Sequence, residues 1–101
     1  MKAINDLKQR WAIQRSQRMM DRAFLQMQPY MAKMDDEPVQ IALLLVSGIA
    51  LGVSAGKVAQ SELDDACARA SEMSGIPSDV LRSHGDATLA MMAAYIADTA
   101  N

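Results

Sequence analysis

Aromatic residues are scarce in this chain. Trp11, Phe24, Tyr30 and Tyr95 are the four, and the apolar half of the composition comes mainly from Ala, Leu, Ile, Val and nine Met. β-branched clusters with period-two alternation are also missing, and residues of the remaining kinds favour helix over sheet. An all-α fold is expected. A single cysteine, Cys67, excludes an internal disulfide. The N-terminal "MKAINDLKQRW" has neither a following apolar stretch nor a small-residue cleavage site, which excludes a secretory signal and makes a cytoplasmic location the expectation.

One histidine, His84, is present, and no cysteine or carboxylate stands at a metal-ligand spacing from it. No catalytic, metal or cofactor signature appears elsewhere, so the chain is expected to be non-enzymatic and to need no cofactor. The carboxylates of 35–37 and of Asp64 and Asp65 fall in first helical turns, where capping and the helix dipole explain them. Cys67 falls among small apolar residues and is expected to pack as a small hydrophobe.

No apolar run is long enough for a comfortable membrane span, which takes roughly 20 residues and usually carries border aromatics. The run from 41 to 53 has neither the length nor the Trp or Tyr. Within it and just beyond, Gly48, Gly52, Ala55, Gly56 and Ala59 share one face, and Ala87, Ala90, Ala93, Ala94 and Ala97 offer a matching one. Small facing residues let helices approach closely. The helix expected at about 37–56 is therefore read as the buried axis of a soluble bundle, with a second copy of the chain completing its cover.

What is present is a charge asymmetry. At 101 residues the chain is one domain, with a basic amphipathic arm at 1–34 and an acidic body at 35–101. The arm holds seven basic and two acidic side chains, a net of +5, whereas the body holds three basic and ten acidic ones, a net of −7. Such an arm can pair with its own body, with a second copy or with an anionic partner.

About five helical segments are expected. The first runs from 3 to about 33, with Pro29 marking a kink or boundary near Gln28. Its apolar residues fall in two opposed stripes: Ile4, Leu7 and Trp11 on one side, and Ile13, Met20, Phe24, Met27, Met31 and Met34 on the other. One straight helix cannot bury both stripes in one core. Either the segment bends near residues 12 to 18, or its first turns rest on a different surface. The methionine stripe is the expected cover for the second helix, which Asp35 or Asp36, Glu37 and Pro38 begin. A third helix opens at Ser61 and closes at Gly75, with Leu63, Ala66, Cys67, Ala70 and Met73 inward. A short one at 78–84 ends at Gly85, placing His84 at a helix end. Asp86 then caps the last.

Two surfaces carry functional signals. In "CARASEMSGIPSDVLRSHG", residues 67–85, Ser71 stands four before Gly75, Ile76 follows the glycine, and Leu81 lies six beyond it. The stretch resembles a helix-turn-helix, which implies DNA contact through Ser78, Asp79, Arg82 and Ser83 in a major groove. Only one of those four is a cation, and the half it belongs to is acidic, a poor arrangement for neutralising phosphates.

The second signal lies in the arm. Trp11, Arg15, Arg18 and Arg22 follow i, i+4, i+7 and i+11 and share one side, next to Ile4 and Leu7. Arg and Trp are enriched among interface hot spots. The leading expectation is thus a non-catalytic helical bundle protein, homodimeric, that regulates or inhibits a macromolecular partner, protein rather than nucleic acid, through Ile4, Leu7, Trp11, Arg15, Arg18 and Arg22. The alternative is a DNA-binding transcriptional regulator using residues 67–85. Membrane association is not expected.

Overall fold

Proline and left-handed glycine set the boundaries of the helices. The computed structural model describes residues 2–99, with side chains from 3 to 95, so Ala97 lies outside the described side chains. Four α-helices are described: α1 (Lys2–Met27), α2 (Glu37–Ser54), α3 (Ser61–Ser74) and α4 (Ser78–Thr99). A 3-10 helix, Gln28–Lys33, continues α1 without a gap. Pro29 sits at its first positions, where a missing N–H costs little, and the α-helical part stops at Met27 as the proline requires. No strand occurs among the described residues.

Pro38 likewise occupies the first turn of α2. Asp36 precedes the helix in an extended conformation, and its carbonyl accepts the N–H groups of Val39 and Gln40, both at 3.1 Å. Its side chain makes no cap hydrogen bond. Gly75 closes α3 with φ +77°, a left-handed turn that favours glycine, and donates its N–H to Ser71 O at 2.9 Å. Buried Ser74 ties this corner together. Its hydroxyl donates to Ala70 O at 2.6 Å and accepts the N–H of Ile76 at 3.1 Å, satisfying a donor that burial would otherwise strand.

Three expectations about the helices are corrected. Residues 78–84 and the segment beyond form one helix, because Gly85 is helical and packed rather than a stop signal. A Cβ at Gly85 would stand 3.2 Å and 3.3 Å from the two Leu63 methyls and 3.4 Å from a Val46 methyl. The glycine therefore lets α4 approach α2 and α3 closely, and a long-range contact overrides its weak helix propensity. His84 consequently lies inside a helix and caps nothing. Asp86 is not an N-cap but pairs with Arg82.

The helix α2 is not a wrapped axis. Val39, Ala42, Val46 and Ala50 are buried, while Leu44 is 72% exposed and Ile41 and Leu51 are each 45% exposed. Nor does its small-residue face meet α4. A Cβ at Gly48 would find nothing within 4 Å, and one at Gly52 would strike Val58 of its own following turn at 2.7 Å. Val58 is folded there by its N–H bond to Gly52 O at 3.2 Å, with Gly56 in the left-handed region at φ +73°.

The arm's packing partner also differs. Unbroken from Lys2 to Met27, α1 lies chiefly along α4 rather than over α2. Its inward line is Ile13, Ser16, Met20, Ala23 and Met27, continued by Tyr30 and Met34, alternating steps of three and four residues. Ser16, Ala23 and Met27 are buried and the others half-buried. This spacing is the seam of a coiled-coil-like pair, and its small members let the two helices approach. Phe24 and Met31, expected inside, are 55% and 44% exposed. At the inner stripe of α3, Met73 is also exposed, and Ser74 is buried in its stead.

The core proper lies among α2, α3 and α4, where Val46, Leu63, Ile76 and Leu81 are the largest fully buried side chains. Fully burying each such side chain stabilises by about 1.5–3 kcal/mol relative to exposure. With α1 laid along one side, the molecule measures 48 × 28 × 19 Å.

Candidate interaction surfaces

The direction of α1 follows from the residues that share its clefts. Met20, Ala23 and Met27 meet His84, while Ala12, Arg15 and Met19 meet Ala90, Ala93 and Ala94. Numbers fall along α1 as they rise along α4, so the two helices are antiparallel. Because Ser16, Ala23 and Met27 face α4, the opposite side of α1 faces out.

That outer side carries Ile4, Leu7, Trp11, Arg18 and Arg22, with Arg15 on its flank, where it also borders the cleft toward Ala90, Ala93 and Ala94 of α4; all six are exposed. Trp11 is 62% exposed, Ile4 51% and Leu7 47%. The six residues climb in steps of three or four along one face, and at 1.5 Å per residue they span about 27 Å. None of the three arginines makes an ion pair or hydrogen bond among the described residues. Leu25, at the next step of three, is 67% exposed and extends the stripe. It is absent from the sequence-based set, although the spacing that links Arg15, Arg18 and Arg22 leads directly to it.

A second outward face belongs to α2. Ile41, Leu44, Gly48, Leu51 and Ala55 are exposed and follow steps of three and four, the same seam spacing that α1 turns toward α4. Between Glu37 and Lys57 the sequence has no charged residue. The length expected from the 41–53 run alone is corrected here: by length and composition the whole of α2 suffices to cross a membrane, with a mean hydropathy of 1.6 over 18 residues, a test that core helices of soluble proteins also pass.

The residues of the DNA-contact alternative are placed differently. Ser78 and Asp79 are exposed in the first turn of α4, and Ser83 is half-buried. Arg82 is held between two carboxylates, in an ion pair with Asp64 of α3 and, through Nε, with Asp86 Oδ1 at 2.9 Å. Its charge is already answered, and the side chain bridges α3 to α4. The corner itself has a left-handed Gly75 with Ile76 and Leu81 fully buried.

Two chemically distinctive side chains lie inward. Burial pushes the Cys67 thiol above its ordinary pKa, and the neighbouring Asp86 carboxylate adds to the shift, the opposite of what an activated thiol needs. Burial lowers the pKa of His84, whose Nε2 lies 3.3 Å from Ser47 Oγ of α2. His84 lines an apolar pocket of about 340 Å³ between α1, the 3-10 helix, α2 and α4, together with Met20, Phe24, Met27, Met31, Met34 and Leu43. No three His, Cys, Asp or Glu side chains gather as a metal site among the described residues. No protein-family model, curated protein or solved structure matches the chain.

Proposed function

We propose that this chain is a non-catalytic interaction protein of the cytoplasm, acting as a homodimer, that regulates or inhibits a protein partner through the outer face of α1. The observation that carries this reading is the stripe of Ile4, Leu7, Trp11, Arg15, Arg18 and Arg22, exposed side by side with three arginines unpaired among the described residues. An aromatic and two aliphatic side chains beside arginines match the composition of binding hot spots, and exposed apolar patches of this kind mark interaction sites. A protein partner is favoured over nucleic acid on two grounds. The apolar half of the stripe has nothing to gain from phosphates, and the net −7 of residues 35–101 repels them.

The second copy is assigned to α2. Its outward seam of Ile41, Leu44, Gly48 and Leu51 bears no charge, so an identical face brings no like-charge repulsion, and a two-fold contact is self-complementary. DNA contact through residues 78–83 is the weaker reading, since Arg82 would first have to leave Asp64 and Asp86.

Site-specific photocrosslinking tests the α1 assignment. A photoreactive residue at Leu7 is expected to crosslink a discrete partner in extract of the native cells, while the same residue at Glu72 on α3 is expected to give none. Equal crosslinking from both positions would remove the assignment.

A further inference from the structure

We propose that the pocket bordered by Met27, Met31 and His84 binds a soft monovalent metal ion, copper(I) or its analogue silver(I), through thioether sulfur and imidazole nitrogen. Four of the nine methionines line this one pocket, together with the sole histidine of the chain. Methionines that served only to fill a gap would have closed it. Here about 340 Å³ stays open, and Met31 remains 44% exposed at its edge.

The donor set selects the metal. No carboxylate, lysine or arginine lines the pocket, so calcium and magnesium find neither their oxygen ligands nor charge neutralisation. Thioethers are soft, uncharged donors that select copper(I), and imidazole suits copper as well. Spacing narrows the set further. Met27 ends α1 and Met31 lies in the 3-10 helix that continues it, four residues on, whereas Met20 and Met34, the other methionines of the lining, each stand seven residues from Met27. Met27, Met31 and His84, which border the pocket together, form the proposed donor set, a low coordination number that monovalent copper accepts.

One nitrogen of the His84 ring is already engaged. Its Nε2 is 3.3 Å from Ser47 Oγ, and the tautomer that donates from Nε2 leaves a lone pair on Nδ1. Metal-binding imidazoles commonly have the other nitrogen hydrogen-bonded in this way. Burial also favours the neutral ring, the form that ligates metals.

The test is titration of the full chain with silver(I), which needs no reductant, followed by calorimetry and by the methyl resonances of 13C-methyl methionine. One silver ion per chain is expected, moving the Met27 and Met31 methyl signals. Met27→Leu with Met31→Leu is nearly volume-conserving and is expected to lower affinity at least tenfold, as is His84→Gln. Should the double variant fail to fold, Met31→Leu alone, at a half-exposed position, serves in its place. Cys67→Ala is expected to leave the affinity unchanged. Absence of one-to-one binding, undiminished binding in the leucine variants, or loss of binding on Cys67→Ala alone would each overturn the proposal.

Discussion

At the scale of single residues, two glycines of the same chemistry have opposite duties. Gly85 sits where α4 approaches α2 and α3, and its absent Cβ leaves room for Leu63 and Val46. Gly85→Val is expected to overpack this junction, costing about 1–3 kcal/mol and lowering the melting temperature by roughly 4–8 °C per kcal/mol in a domain of this size. Gly48 faces open space from a helical position. Replacement by Ala there removes a helix penalty of about 0.5–1 kcal/mol, so a thermal melt of dilute Gly48→Ala should rise by a few degrees, on the order of that gain. A fall instead would mean that something already packs on this face.

His84 adds a dependence on pH. Because burial holds its folded-state pKa below the ordinary value of about 6.5, the unfolded chain takes up its proton first as pH falls. Stability from this group is complete above about pH 6.5 and is lost progressively as pH falls toward the folded-state pKa. The melting temperature should therefore drop between pH 7.5 and 5.5 more steeply in the wild type than in His84→Gln, measured side by side. Parallel curves would show that the buried imidazole does not couple to folding.

At the scale of elements, the legible features were those decided locally. Pro29, Pro38 and Gly75 act on their own backbone, and each marks a boundary near the place the sequence indicates. Gly85 misled because punctuation by glycine is a local rule, whereas its environment is supplied by Leu63 and Val46, some 22 and 39 residues away in sequence. The seam of α1 was hidden for a related reason. Ser16 and Ala23 do not read as an apolar stripe, yet they are the buried positions, because close approach to the alanine-rich α4 favours small residues. The outer stripe was readable because exposure of Ile4, Leu7 and Trp11 needs only that α1 be straight and turned by its other side toward the body. What the spacing did not show was the helix that α1 would choose.

For the whole molecule, the unfinished packing of α2 is the main physical fact. Leu44 at 72% exposure, with Ile41 and Leu51 at 45%, leaves an uncharged seam on a helix whose other side is core. Under the dimer proposal, Leu44→Asp with Leu51→Asp should halve the mass measured by light scattering while keeping the helical circular dichroism, since neither side chain is buried in the single chain. A wild type that is monomeric at high micromolar concentration, or an aspartate variant with unchanged dimer mass, would exclude that contact. Recovery of the wild-type protein only with membranes would assign the same face to lipid.

The proposed function requires α1 to present a binding face rather than complete the core, and the double variant Trp11→Ala, Arg15→Ala separates the two. Its partner capture from extract of the native cells should be measured against wild type, with circular dichroism and a thermal melt taken on the same samples. Both side chains are exposed, and surface substitutions of this kind usually change stability by no more than about 0.5 kcal/mol. An unchanged helical spectrum, a melting temperature within a few degrees of wild type, and loss of the captured partner are expected. An unfolded variant, or one that captures the same partner in the same yield, would contradict the proposed function.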